Sequence, residues 1–200
     1  MLQTFAVAIA KRAKQVNLAK GITVSDLLST MRGAAKRQYH VFADADSRTQ
    51  IDTVRRGLPA RFLSAMSADM QVSKEQLFDW TNIARATANR KIAADVTLTV
   101  EESERAFCVA KLIGLVATMV GNNGEAGKQN ANKKKNAKTN ADATLNTAAN
   151  AFDAAKWTAN WLGEANHALG GAMPGEYLDT AEGRALVAQL ITQIESGVYA

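Results

Sequence analysis

The sequence has little cysteine, histidine and proline, and each scarcity excludes a class of protein. The single cysteine, Cys108, forbids an intramolecular disulfide, which argues against a disulfide-stabilised secreted scaffold. The two histidines, His40 and His167, are far apart, so a Cys/His metal cluster with the usual ligand spacing is absent. No apolar run reaches the roughly 18 residues of a membrane-spanning helix. The positive charges near the N-terminus follow the apolar run, which is the wrong order for a secretory signal. We therefore predict a cytoplasmic protein.

Strand-forming patterns are also scarce. Val96–Val100 is the one short run with alternating β-branched residues. The only prolines are Pro59 and Pro174, and alanine-rich stretches surround them. Apolar residues make up 47% of the chain, which is enough to bury a sizeable core. The sequence therefore predicts an all-α fold.

The first 120 residues divide into two segments. Residues 1–56 read as a basic, helical N-terminal extension with ten basic and four acidic residues, and either a solvated surface or a flexible arm on DNA phosphates explains them. Gly57-Leu58-Pro59 begins a new unit, because proline suits the first turn of a helix. We predict that residues 57–120 form a helix-turn-helix-like domain with a long connecting helix.

The rest of the chain divides again near residue 150. Residues 121–150 contain eight asparagines and the run Lys133-Lys134-Lys135, and read as a linker or exposed insertion that is mobile or only extends a helix. Residues 151–200 read as a small helical domain. The net charge is +6 over residues 1–120, +3 over 121–150 and −4 over 151–200, so the two ends are predicted to meet different partners.

A helix-turn-helix pattern occupies the first domain. Ser73 with Gln76 forms a capping-box pattern, and Asn82 suits the left-handed conformation of a tight turn. The next helix, residues 84–93, would be the recognition helix, and its polar residues would face phosphates and base edges. These predicted DNA-binding residues are Arg85, Thr87, Asn89, Arg90 and Lys91. Phe78 and Ala88 fit a plain helical scaffold equally well, and that alternative stays open.

Further signals mark the later helices. Thr99 with Glu102 forms a second capping box, and Thr180 can cap the last helix. That helix carries an apolar stripe predicted to be used for folding, and Gly197 is a natural stop. The stripe consists of Leu186, Val187, Leu190, Ile191 and Ile194. Trp157 and Trp161 lie four residues apart on one predicted helix face, which indicates core packing or a mixed role with one ring edge at an interface.

No catalytic set emerges from the sequence. Cys108 lies mid-helix near an apolar face, as an inert core thiol does, and no serine or cysteine near His167 completes a dyad. Gly170-Gly171 lacks the residues of a nucleotide-binding loop. We predict no enzyme, no cofactor and no metal site.

The last 40 residues carry a specific resemblance. The segments are WLGEANHALGGAMP from Trp161, LDTAEG from Leu178, and IESGVYA from Ile194. They resemble the toxin-binding domain of Xre/MbcA/ParS antitoxins, and residues 57–120 resemble the helix-turn-helix region that precedes it.

The resemblance implies a type II antitoxin. Its partner would be a RES-domain toxin that destroys NAD⁺, and it would be a homodimer that represses its own operon. The family also implies that the C-terminal end sits over the toxin's active-site entrance. The predicted toxin-binding residues are Trp161, Asn166, Leu169, Gly170, Gly171, Pro174, Gly197, Val198, Tyr199 and Ala200. Two alternatives remain: a stand-alone dimeric DNA-binding transcriptional regulator without a toxin partner, and an enzyme.

Overall fold

The computed structural model describes residues 21–33, 37–131 and 152–195, with side chains left out at 120–131 and 195. These ranges are mostly helical, and their only β-type pairing is a single antiparallel bridge between Pro59 and Thr97. The prediction of an all-α fold is confirmed. The α-helices are α1 Val24–Arg32, α2 His40–Asp44, α3 Ser47–Arg56, α4 Arg61–Met70, α5 Lys74–Trp80, α6 Arg85–Ala93, α7 Val100–Ala131, α8 Ala154–Gly163 and α9 Ala181–Glu195. Two 3₁₀ helices, His167–Leu169 and Pro174–Asp179, lie between α8 and α9.

Side-chain caps start the helices at the predicted places. The Ser73 hydroxyl accepts from the Gln76 amide at 3.0 Å, and the Thr180 hydroxyl accepts from the Gly183 amide at 3.1 Å. At the start of α7, the Glu102 carboxylate accepts from the Thr99 amide at 2.8 Å, and the Thr99 hydroxyl accepts from the Glu102 amide at 3.3 Å. Each cap satisfies amide groups that lack a partner inside the helix.

The described part of residues 1–56 is packed into the core, so the flexible-arm interpretation is wrong for it. Leu27 and Phe42 are fully buried, and the Phe42 ring lies 5.8 Å from that of Phe62 and 5.6 Å from that of Phe107. Thr23 and Asp46 cap α1 and α3. Residues 1–20 lie outside the described residues.

A polar cluster fastens the segment before α2 to α4. Arg37 donates to both carboxylate oxygens of Asp69, at 3.0 and 2.9 Å, and the Tyr39 hydroxyl donates to the same carboxylate at 2.8 Å. Burial is the largest of several causes that raise the pKa of the Tyr39 hydroxyl, the nearby Asp69 charge being the next. The phenol therefore stays protonated and keeps its role as a donor.

The long helix α7 is the central packing element, and α2, α3, α8 and α9 all contact it. Gly114 lets α2 approach closely, because a Cβ there would meet the Tyr39 carbonyl and lie 3.2 Å from the Ala43 Cβ. The helix continues to Ala131 and so covers the start of the Asn/Lys-rich segment. Residues 132–151, including Lys133-Lys134-Lys135, lie outside the described residues.

The C-terminal elements pack onto the same core. Helix α8 contacts α4 and α7 and buries Ala155, Ala159 and Leu162. Helix α9 contacts α7 and buries Val187, Leu190 and Ile191. The prediction that the whole apolar stripe of α9 serves folding is wrong in part, because Leu186 and Ile194 remain 38% and 39% exposed.

Candidate functional site

The segment between α8 and α9 forms a loop closed by its own hydrogen bonds. The Asn166 amide donates to the Ala172 carbonyl at 3.0 Å, and the Gly171 amide donates to the Asn166 carbonyl at 2.9 Å. The Asn166 side chain also accepts from the Ala168 amide at 2.9 Å, which starts the first 3₁₀ helix. Asn166 thus has a positioning role that defines the shape of the loop.

The backbone conformation explains why glycine occupies both positions at the tip of this loop. Gly170 and Gly171 have φ angles of 66° and 93°, which L-residues with a side chain rarely adopt. In the part of the chain that the structure describes, no atom beyond the adjoining residues lies within 4 Å of a Cβ built at either glycine, so the space around them is open. The glycines therefore shape the turn and leave its backbone accessible to a partner.

The other predicted toxin-binding residues differ in how accessible they are. Leu169 and Trp161 are half-buried, and the Trp161 ring stacks on that of Trp157, with centroids 6.2 Å apart and an interplanar angle of 8°. Pro174 is buried, so it positions the loop and does not present its ring to solvent. Met173 is 46% exposed beside it. Sequence reasoning missed Met173, although its place next to the glycine loop was visible in the sequence.

The predicted toxin contacts of the C-terminal tail involve four residues. Gly197, Val198, Tyr199 and Ala200 lie outside the described residues, so their role in toxin binding stays a prediction. Ile194 lies near the C-terminal end of α9 and is exposed.

Gly183, the last residue of the LDTAEG segment, and Arg184, which follows it, fix α9 against the loop region. A Cβ at Gly183 would collide with the Tyr177 carbonyl oxygen, so only glycine permits this approach. Arg184 is buried, and its guanidinium donates to the Leu178 carbonyl at 3.2 Å and to the Glu104 carboxylate at 2.9 Å. Since Glu104 belongs to α7, this arginine ties the C-terminal elements to the central helix.

The surface of this C-terminal region is acidic. Five carboxylates are exposed in residues 152–195, whereas Arg184 is buried and Lys156 is the one exposed lysine or arginine among the described residues of this range. The five are Asp153, Glu164, Glu176, Asp179 and Glu182. Such a surface favours a partner that presents positive charge.

The second candidate surface is the predicted recognition helix, α6. Arg85, Asn89 and Arg90 are exposed on α6, while Ala88 is fully buried. Thr87 is half-buried. The small side chain at Ala88 lets α6 pack on α4 and α5, both of which contact it.

Lys91 is directed towards α7. Its ammonium group forms an ion pair with the Glu102 carboxylate, and the two side chains are only 16% and 12% exposed. Burial raises the pKa of Glu102, but hydrogen bonds from Lys91 and from the Thr99 amide outweigh it, and the pKa lies below its usual value. Lys91 therefore holds α6 against the start of α7.

The turn between α5 and α6 has the predicted geometry. Asn82 has a φ of 48°, in the left-handed region, and its carbonyl accepts from the Arg105 guanidinium at 3.1 Å. Phe78 is fully buried and its carbonyl accepts from the Ile83 amide at 2.9 Å. Arg85 lies 3.3 Å from the Asp79 carboxylate in an exposed pair across this turn. The large residue at position 78 is thus accommodated in the core without loss of the turn.

A pocket of about 230 Å³ lies between α7 and α9 and is lined by Glu104, Cys108, Lys111 and Arg184, among others. Burial raises the pKa of the Cys108 thiol above its usual value, which lowers its fraction of reactive thiolate. Over residues 21–33, 37–131 and 152–195 no group of three or more His, Cys, Asp or Glu side chains is arranged to hold a metal ion. No described helix is both long and apolar enough to cross a membrane.

The sequence ranges that contain these two surfaces match two families of antitoxin domain. Residues 49–111 match the antitoxin Xre-like helix-turn-helix domain, and residues 147–197 match the antitoxin Xre/MbcA/ParS C-terminal toxin-binding domain. A relative from Sphingobium sp. (strain YBL2), described as a "Prs ADP-ribosylating antitoxin", is 31% identical over 169 residues. The alignment covers 84% of this chain and 92% of the relative. The exposed loop at Gly170-Gly171 lies within the toxin-binding match and α6 within the helix-turn-helix match. The chain therefore belongs to the Xre/MbcA/ParS family of antitoxins.

Proposed function

We propose that this antitoxin acts in the cytoplasm as a homodimer, binds and inhibits a RES-domain toxin that consumes NAD⁺, and represses its own operon. The observation that carries the proposal is the open, glycine-tipped loop at residues 166–173 inside the toxin-binding domain. The chain itself is proposed to have no catalytic role.

The loop suits an interface because its shape is set before binding. Five backbone hydrogen bonds within residues 166–172 and the Asn166 side-chain cap hold the loop, so little conformational entropy remains to be lost on association. The exposed Gly170 and Gly171 let a partner approach the backbone, and Met173 offers an adaptable apolar side chain next to them. The proposed contacts are therefore Trp161, Leu169, the two glycines and Met173, with the tail from Gly197 to Ala200 reaching the active-site entrance.

The acidic surface around the loop fits a NAD⁺-consuming partner. An enzyme that binds the pyrophosphate of NAD⁺ needs positive charge near its cleft, and exposed carboxylates such as Glu164 and Glu176 complement it. The description of the Sphingobium relative also links an antitoxin with ADP-ribosylation. Hydrolysis of NAD⁺ and transfer of ADP-ribose to an acceptor both release nicotinamide, so that product is the readout shared by the two reactions.

The toxin contact is tested with matched charge substitutions. Met173→Asp places a charge at the proposed interface, and Ile51→Asp places one at a similarly exposed apolar residue on α3. Met173→Asp should weaken inhibition of the co-expressed toxin at least about ten-fold, as loss of an interface anchor does, while Ile51→Asp should inhibit normally. The measurements are rescue of growth and NAD⁺ loss with the purified toxin. Unchanged inhibition by Met173→Asp would remove the loop from the interface, and a toxin that leaves NAD⁺ intact would refute the proposed partner.

Repression is proposed to depend on the exposed side of α6. Arg85 and Asn89 are suited to bidentate hydrogen bonds with guanine and adenine edges, and Arg90 is suited to a phosphate. Asn89→Ala should lower discrimination between the upstream promoter and unrelated DNA by about ten-fold in a gel-shift titration. Glu75→Ala, an exposed change on α5, serves as the control. Equal discrimination by Asn89→Ala and the unaltered chain would show that α6 does not contact the bases.

A further inference from the structure

A group of exposed arginines lies where the chain segments after α3 and after α6 run side by side. The Leu98 amide donates to the Leu58 carbonyl at 2.8 Å, and the Ala60 amide donates to the Val96 carbonyl at 3.0 Å. These bonds place residues 57–61 antiparallel to residues 95–98. The C-terminal ends of α3 and α6 and the start of α4 therefore share one corner of the molecule.

Gly57 makes the approach possible. Its φ of 81° lies in the region that favours glycine, and a Cβ there would be 2.9 Å from the Leu98 carbonyl and 3.1 Å from the Thr97 Cβ. The last turn of α3, which precedes Gly57, is thus held next to the segment that leaves the recognition helix.

Four arginines belong to the helix ends that meet here: Arg55 and Arg56 at the end of α3, Arg61 at the start of α4 and Arg90 in the last turn of α6. We call this set the arginine corner. All four are exposed, and within the described residues only Arg61 has a salt-bridge partner, Asp95, at 2.9 Å. The half-buried Asp52 is the other carboxylate close in sequence, one turn before Arg56 on α3. Positive charge remains in excess after both are counted.

From this arrangement we propose that Arg55 and Arg56 bind DNA backbone phosphates beside the recognition helix. The inference rests on the DNA binding in the proposed function and extends it to a helix outside the α5–α6 pair. The proposed occupant is a polyanion, because the surface is exposed and carries more arginine than carboxylate charge. Phosphate contacts fix the register of a protein on the duplex and carry no sequence information.

The test is the salt dependence of DNA binding by the full chain. Arg55→Ala/Arg56→Ala should reduce the slope of log K against log salt by about 1 to 2, since each lost phosphate contact accounts for about 0.9. Affinity should fall similarly for promoter and unrelated DNA. The control is Arg32→Ala/Arg48→Ala, which removes the same charge from exposed arginines at the end of α1 and at the start of α3, about two helical turns before Arg55. Arg55→Lys/Arg56→Lys should restore the slope, because lysine keeps the charge.

Each outcome has a definite meaning. If the salt slope is unchanged in Arg55→Ala/Arg56→Ala while the unaltered chain still prefers its promoter, Arg55 and Arg56 do not bind phosphates. That result would contradict the proposal for the arginine corner but not the proposed repressor function. An equal loss in the Arg32→Ala/Arg48→Ala control also overturns it, because net charge would then explain the effect. Absence of DNA binding by the unaltered chain refutes the corner and the repressor function together. Thermal melting of all variants confirms that folding is unchanged.

Discussion

At the scale of single residues, Gly175 shows how tightly the toxin-binding region is joined to the helix-turn-helix region. A Cβ at this position would collide with the Trp80 indole and lie 2.9 Å from the Leu162 carbonyl oxygen. Trp80 ends α5, and Leu162 is part of α8. Neither the indole, which is almost fully buried, nor a helix backbone moves easily.

Gly175→Ala is therefore expected to lower the free energy of unfolding by about 1–3 kcal/mol, the usual cost of overpacking a close contact. Gly163→Ala is the matched control, because among the described residues no atom outside its own helical turn lies within 4 Å of its Cβ position. It should change stability by less than about 0.5 kcal/mol. Urea unfolding followed by tryptophan fluorescence measures both. Equal stability of the two variants would mean that the Trp80 contact yields easily.

At the scale of helices, the sequence predicts where a helix begins better than it predicts which other helix packs against it. Caps such as Ser73, Thr99 and Thr180 act within one turn, so a local pattern was sufficient to find them. The packing of Phe42 against Phe107 joins residues far apart in the chain, and no local sequence pattern predicts this contact. The pairing of Lys91 with Glu102 also crosses from one helix to the next, so helical spacing alone placed Lys91 with the DNA-contacting residues.

The candidate site was predictable to a similar extent. The glycine loop followed from its sequence because positive φ angles demand glycine. The exposure of Met173 and of Leu186 depends on which neighbouring element packs on each side chain. Hydrophobic periodicity identifies the apolar face of a helix but does not identify the element that packs on it. The burial of Pro174 was missed for the same reason.

The Lys91–Glu102 pair predicts a pH dependence. The pKa of Glu102 is lowered in the folded chain from its usual 4.5. The ionised form therefore stabilises the fold fully above that pH, and the contribution disappears as the pH falls through the lower folded-state value. Glu102→Gln should reduce stability by about 1–2 kcal/mol at pH 7, and the gap to the unaltered chain should narrow between about pH 5 and pH 3.

Denaturant melts at several pH values measure this gap. Glu164→Gln is the control, because Glu164 is exposed in the loop region and has no ion pair within the described residues. A difference in unfolding free energy between Glu102→Gln and the unaltered chain that stays constant from pH 7 to pH 3 would contradict an ionic contribution. Lost packing would then be the cause of the destabilisation.

At the scale of the whole molecule, the two regions named by the family matches form one packed body. Helix α8 packs on α4 and α7, α9 packs on α7, and the Arg184–Glu104 ion pair joins α9 to the central helix. Ala155, Leu162, Val187 and Ile191 are buried in these contacts. The helix-turn-helix region thus uses the toxin-binding region to cover part of its core.

A chain ending at residue 131 is accordingly expected to melt at lower temperature, bind a hydrophobic dye and aggregate, because the faces of α4 and α7 lose their cover. As a control, the full chain with a protease site placed near residue 140 should, after cleavage, elute as one complex in size exclusion. A shortened chain that unfolds cooperatively at the original temperature would show that the regions are independent.

The packing of α8 and α9 on α7 also has a consequence for the time course of synthesis. The ribosome releases residues 1–131 before α8 and α9 exist, so every newly made copy passes through a stage in which apolar faces of α4 and α7 are open to solvent. The fold closes only after Ile191 has left the ribosome. Chains whose synthesis stops before α9 is made are therefore expected to be better protease substrates than chains in which α8 and α9 cover these faces.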